Sequence, residues 1–77
     1  SLFGGFNYRV PTPGGIIKDG KLHANSTYPG LTIRYTTDGS EPAKSSMVYK
    51  EPVLVSGKVI LKAFDAAGKE SKSIKVN

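Results

Sequence analysis

Apolar and polar residues alternate along most of this chain with a period of two. Leu31, Ile33 and Tyr35 fall on one parity, and Thr32, Arg34 and Thr36 on the other, the pattern of a strand with one buried face. Val59–Phe64 reads the same way, with Val59, Leu61 and Ala63 inward and Lys62 toward water. In Lys69–Val76, Ile74 and Val76 point in while Ser73 and Lys75 point out. These last two runs are predicted to pair as an antiparallel hairpin across Asp65-Ala66-Ala67-Gly68. Upstream, Ile16-Ile17-Lys18 and Lys21-Leu22-His23-Ala24 flank Asp19-Gly20. That dipeptide between two such runs signals a hairpin, because a type I′ turn needs positive φ at both central residues. Val48-Tyr49 and Val53-Leu54-Val55 are shorter strand candidates around Pro52, with a turn at Ser56-Gly57.

Turn residues separate these runs. Tyr28-Pro29-Gly30 makes one turn, and Asp38-Gly39-Ser40-Glu41-Pro42 breaks the strand before it, leaving Ala43–Met47 as loop. Asp38 can accept a backbone hydrogen bond in an Asx-turn, Gly39 can take positive φ, and Pro42 cannot continue a central strand. No segment carries a helical period. Short strands split by turns argue for an all-β fold, a small sandwich or barrel. The first residues differ: Phe3, Phe6, Tyr8 and Val10 are apolar, yet Gly4, Gly5 and Pro11-Thr12-Pro13 interrupt them. Residues 1–13 are therefore set apart as an interdomain linker or N-terminal extension, and residues 14–77 as the sandwich. Two readings stay open for Phe3, Phe6 and Tyr8: contact with a neighbouring domain, or cover for an open end of this one.

The 77 residues make one domain. A chain of this size buries only about 60% of the surface it exposes unfolded. Its small core leaves little room for a ligand pocket of roughly 300–1,000 Å³, so function is expected on the surface or at a junction. The absence of cysteine excludes disulfides, zinc–thiolate sites and cysteine nucleophiles. Net charge is +5, and the nine lysines are spread along the chain. Scattered lysine is how sheet proteins solvate a face and protect an edge, whereas a nucleic-acid surface clusters arginine and aromatic residues. No nucleic-acid partner is expected. No run approaches the roughly 20 apolar residues of a membrane span. The opening Ser1-Leu2-Phe3-Gly4-Gly5-Phe6 is not a signal peptide. The expectation is a domain excised from a parent that carries its targeting signal elsewhere.

Candidate chemistry is sparse. His23, the sole histidine, lies on a predicted strand, where an ordinary half-buried or surface histidine accounts for it. Of the carboxylates, Asp19, Asp38 and Asp65 sit in or beside turns, Glu51 precedes Pro52, and Glu70 follows a turn. None is marked as half of the carboxylate pair that glycoside hydrolysis uses. Asp38-Gly-Ser-Glu41 offers two side chains where an EF-hand loop needs about five spaced oxygen ligands. Gly14-Gly15 lacks the lysine and following helix of a phosphate loop. No cofactor or metal is expected. Of the aromatic residues, Tyr28 and Phe64 are the candidates for an exposed ring that could touch a glycan.

Several stretches together carry a family resemblance. They are Ile33-Arg-Tyr-Thr-Thr-Asp-Gly-Ser-Glu-Pro42, Tyr49-Lys-Glu-Pro52, Val59-Ile-Leu-Lys-Ala63 with Gly68, and upstream Tyr8-Arg-Val-Pro-Thr-Pro-Gly14, Gly20-Lys-Leu22, Ala24-Asn25 and Pro29-Gly-Leu31. They resemble the C-terminal domain of chitobiase and bacterial β-N-acetylhexosaminidases over about Phe6–Val76. The resemblance implies an immunoglobulin-like or fibronectin-like antiparallel β-sandwich that follows a catalytic TIM barrel of the same parent chain. In that family the barrel carries the hydrolysis and its acidic pair, and no position here matches that pair. Asp38, Gly39 and Pro42 match motif positions whose role looks structural. A non-catalytic accessory domain is thus implied, monomeric when isolated and located in the periplasm, at the outer membrane or outside the cell. The alternatives are a glycan-binding module using Tyr28, and a generic spacer or contact domain of a multi-domain surface protein.

Overall fold

The computed structural model describes residues 9–26 and 28–76. Seven strands follow in chain order: β1 (Gly14–Lys18), β2 (Lys21–Asn25), β3 (Thr32–Thr36), β4 (Met47–Val48), β5 (Val53–Leu54), β6 (Val59–Phe64) and β7 (Ile74–Val76). They form two sheets, a three-stranded one ordered β1-β2-β5 and a four-stranded one ordered β4-β3-β6-β7. Every named pairing is antiparallel. The protein is a small all-β antiparallel sandwich.

The predicted hairpins form. β1 and β2 pair from Gly14↔Asn25 to Lys18↔Lys21, and Asp19 and Gly20 have φ of 54° and 75°, as a type I′ turn demands. β3 lies on β6 with Ile33 opposite Ala63 and Tyr35 opposite Leu61. The inward parity of each strand meets in one core. Leu22 comes from the smaller sheet, and Ile33, Tyr35, Val59, Leu61 and Val76 from the larger. Leu22, Leu61 and Val59 are fully buried, each contributing about 1.5–3 kcal/mol by leaving water. Tyr49 packs on this cluster. The two sheets meet closely at Gly15, where a Cβ would lie 2.6 Å from Leu61 Cδ1. Only glycine lets β1 rest on that leucine.

The last hairpin departs from the sequence reading. Lys69–Val76 is not one continuous strand. Leu61 pairs with Ile74, and Phe64 with Glu70, which leaves one more residue on the second side than on the first. This is a bulge, and Ser71 closes it. Ser71 N–H donates to Ala63 O at 2.8 Å, and Ala63 N–H donates to Ser71 Oγ at 2.9 Å. The hydroxyl stands in for the carbonyl that the bulge displaces. It donates its own O–H to Lys72 O at 2.8 Å, so the buried hydroxyl is paired both as acceptor and as donor.

The chain leading into β1 is part of the packing. Val10 and Pro13 are buried, and Arg9–Thr12 face Lys69–Lys72 across a groove of about 420 Å³. Phe3, Phe6 and Tyr8 lie outside the described residues.

Candidate functional site

Three features of the surface were candidates for function: the turn at Asp38, the ring of Tyr28 and the carboxylates. The Asp38 turn begins a strap across the outer face of the larger sheet. Asp38 Oδ1 accepts from the Ser40 hydroxyl at 2.6 Å and from the Ser40 N–H at 3.0 Å. These two donors, the hydroxyl first, hold the exposed Asp38 carboxyl below its ordinary value of 3.8. Gly39, at φ 83°, turns the chain and donates its N–H to Lys58 O at 3.0 Å. The Thr36 hydroxyl on β3 donates to Ser40 O at 2.6 Å, and Pro42 is buried.

Beyond Ser40 the strap crosses the sheet. Glu41 reaches Lys62 on β6 at 3.5 Å and accepts from the Ser73 hydroxyl at 3.2 Å. The Lys44 side chain lies over Gly68. The strap then turns back to β3, where Arg34 donates to Ser46 O at 2.7 Å. The Arg34 guanidinium also stands 6.0 Å above the Phe64 ring, within cation–π range.

This strap corrects two expectations. Lys62 does occupy the outward parity, but its side chain is only 12% exposed. It bonds Glu70 as well as Glu41. The bond from Glu70, assisted by the Glu41 charge, raises Lys62 above its ordinary 10.5, against the opposing pull of burial. Phe64 is likewise buried under the strap side, so it is not an exposed ring. Tyr28 is exposed, at 58%. It sits in the β2–β3 turn, where its carbonyl accepts from Ser26 Oγ at 2.8 Å.

The strap thus brings Asp38, Gly39 and Pro42 together with Glu41, Arg34 and Lys62, which the sequence did not connect. It leaves Tyr28 in a different turn. An ammonium fills the space between the Glu41 and Glu70 carboxylates, where a hydrolytic pair would hold a sugar. Asp65 is occupied by its own turn, accepting from Ala67 and Lys69 N–H at 3.0 and 2.8 Å. His23 is half-buried on β2 opposite Ile16. Among the described residues no three His, Cys, Asp or Glu side chains converge as a metal site, and no helix is long and apolar enough to cross a membrane.

Comparison with known proteins adds two findings. The profile of the chitobiase/β-hexosaminidase C-terminal domain family matches residues 3–73. The N,N'-diacetylchitobiase of Vibrio harveyi is 33% identical over 72 residues, a match that covers 91% of this chain and 8% of that relative's length.

Proposed function

This chain belongs to the chitobiase/β-hexosaminidase C-terminal domain family, and from that premise we propose that it is a non-catalytic accessory domain of a secreted β-N-acetylhexosaminidase-type glycoside hydrolase. In this reading it packs on, or orients, a catalytic TIM barrel in the same polypeptide. The observation that carries the reading is coverage. The match fills 91% of this chain but 8% of the chitobiase, so most of that enzyme lies outside the matched segment. The engagement of Glu41 and Glu70 with Lys62 agrees with a structural role for these carboxylates. Asp38, Gly39 and Pro42 are then the residues that set the strap. Phe3, Phe6 and Tyr8 are proposed to meet the neighbouring domain. The strand order β1-β2-β5 against β4-β3-β6-β7 supports an immunoglobulin-like or fibronectin-like description. The proposed location is the periplasm, the outer membrane or outside the cell, and the isolated domain is read as a monomer.

Deleting the domain from the full polypeptide encoded by the gene tests the reading. The expected outcome is a lower unfolding temperature and lower hydrolytic turnover. Unchanged stability, solubility and turnover would refute it. The exposed Tyr28 ring favours a second reading, a module that binds N-acetylglucosamine oligomers. A titration followed by amide NMR would show shifts around Tyr28 that are lost in Tyr28→Ala. No shift at millimolar sugar rules it out for those ligands.

A further inference from the structure

Among the described residues no segment crosses the outer face of β1-β2-β5. Register places Lys18, Lys21 and Leu54 in one row across its three strands, and Ile16 and His23 in the next. Pro52, which is exposed, extends that second row just before β5. Leu54 is 73% exposed and Ile16 is 58% exposed. Strand propensity does not require them there, because threonine suits a pleated, half-solvated position equally well. Lys18 and Lys21, both exposed, stand at one corner, and Asp19 in the turn beyond them is the sole carboxylate of that hairpin. The face thus carries Ile16, Pro52 and Leu54 around His23, with Lys18 and Lys21 at its hairpin end and Asn25 at the other. No described Phe or Tyr ring lies on it, so it offers no broad stacking platform for a sugar.

Resting on the accessory-domain reading above, we propose that this face docks onto the catalytic domain of the same polypeptide, against an apolar patch bordered by carboxylates that pair with Lys18 and Lys21. Size selects this occupant. A rise of about 3.3 Å per residue and a strand spacing of about 4.8 Å give the face an area of about 250 Å². Stable association of free partners takes about 800 Å² from each. A second copy of the chain finds too little area here. A tethered neighbour needs less, because a short linker holds it at an effective concentration on the order of millimolar.

The test uses the chain's lack of cysteine. Ile16→Cys and Leu54→Cys probe the face, and Met47→Cys, at a position 65% exposed on the edge of the other sheet, is the reference. Each is placed in the 77-residue domain and in the full polypeptide encoded by the gene. Maleimide labelling is then read by mass spectrometry at each peptide, and amide spectra of the domain variants verify the fold. In the full polypeptide, labelling at 16 and 54 is expected to slow roughly tenfold or more, since a packed interface core excludes solvent, while 47 is unaffected. Lys18→Glu with Lys21→Glu is expected to restore the rate at both positions. Equal rates at 16 and 54 in the two contexts overturn the proposal. If 47 alone is then slowed, the domain docks by another face and the accessory reading survives; if no position is slowed, the proposal falls and the accessory reading stands or falls by the deletion test above. Protection at 16 that grows with concentration of the isolated domain assigns the face to a second copy and overturns the proposal as well. Protection that survives the charge reversal overturns its carboxylate border.

Discussion

The two outer faces of this sandwich are built from the same alternating strands and end up in opposite states. On the larger sheet, Ile60 and Phe64 occupy the outward parity yet are buried, on the face where the strap from Asp38 to Ser46 is fastened at Thr36, Lys62, Ser73 and Arg34. On the smaller sheet, Ile16 and Leu54 occupy the same parity and are exposed, and no segment of the described chain returns over them. Outward apolar residues therefore carry two different meanings here. Where the chain folds back they are buried. Where it does not, they remain available for contact from outside the domain.

The sharpest way to break this contrast is to truncate an outward residue on the covered face. Phe64→Ala removes a buried ring and the platform beneath Arg34. It is expected to cost about 3–5 kcal/mol, the range for buried aromatic truncation, measured by denaturant unfolding. A loss below about 1 kcal/mol, the range of an ordinary surface change, would mean that the strap does not make a core.

A smaller effect is expected from the ionic fastening. Lys62→Met keeps the covering stem and removes the ammonium between Glu41 and Glu70. Both glutamates are well exposed, at 67% and 50%, so solvent screening limits the expected loss to about 0.5–1 kcal/mol. The pH dependence identifies its source. Lys62 is raised in the folded state, principally by its bond to Glu70, so the folded protein holds this proton more tightly than the unfolded chain. The contribution is complete below the ordinary value of 10.5 and is lost as pH rises through the higher folded value. The stability gap between the parent and Lys62→Met is therefore expected to hold through neutral pH and narrow in the alkaline limb. A gap that stays constant there would assign the loss to packing.

Local chemistry made much of this legible in the sequence. The Asp19-Gly20 hairpin, the inward parity of Leu31–Thr36 and Val59–Phe64, and the turn at Asp65–Gly68 each depend on a few neighbouring residues. The strap was not legible, because it joins Glu41 to Lys62 and Ser73, and no local pattern encodes a contact between segments so far apart. For the same reason parity assigned Lys62 to solvent, and Phe64 was named as a candidate exposed ring. The bulge was hidden too, since a serine that replaces a ladder carbonyl reads as one more polar residue. The bare face did leave a signal that parity analysis passed over. Ile16-Ile17 and Val53-Leu54-Val55 are unbroken apolar runs, and a period of two obliges one member of each to point outward.

The least disruptive substitutions test that last point most directly. Ile16→Thr and Leu54→Thr keep strand-forming side chains and remove apolar surface that is already in water. Each is expected to change the stability of the isolated domain by less than about 0.5 kcal/mol, as for surface positions without special contacts. The measurement is the same denaturant unfolding used for Phe64→Ala. A loss of about 2 kcal/mol or more, the scale of a buried large-to-small change, would show that something in the chain covers this face after all, and the contrast between the two sheets would collapse. A near-zero result means that the isolated fold derives no benefit from either side chain. Their presence would then need a cause outside the domain, which is what docking onto a neighbour supplies.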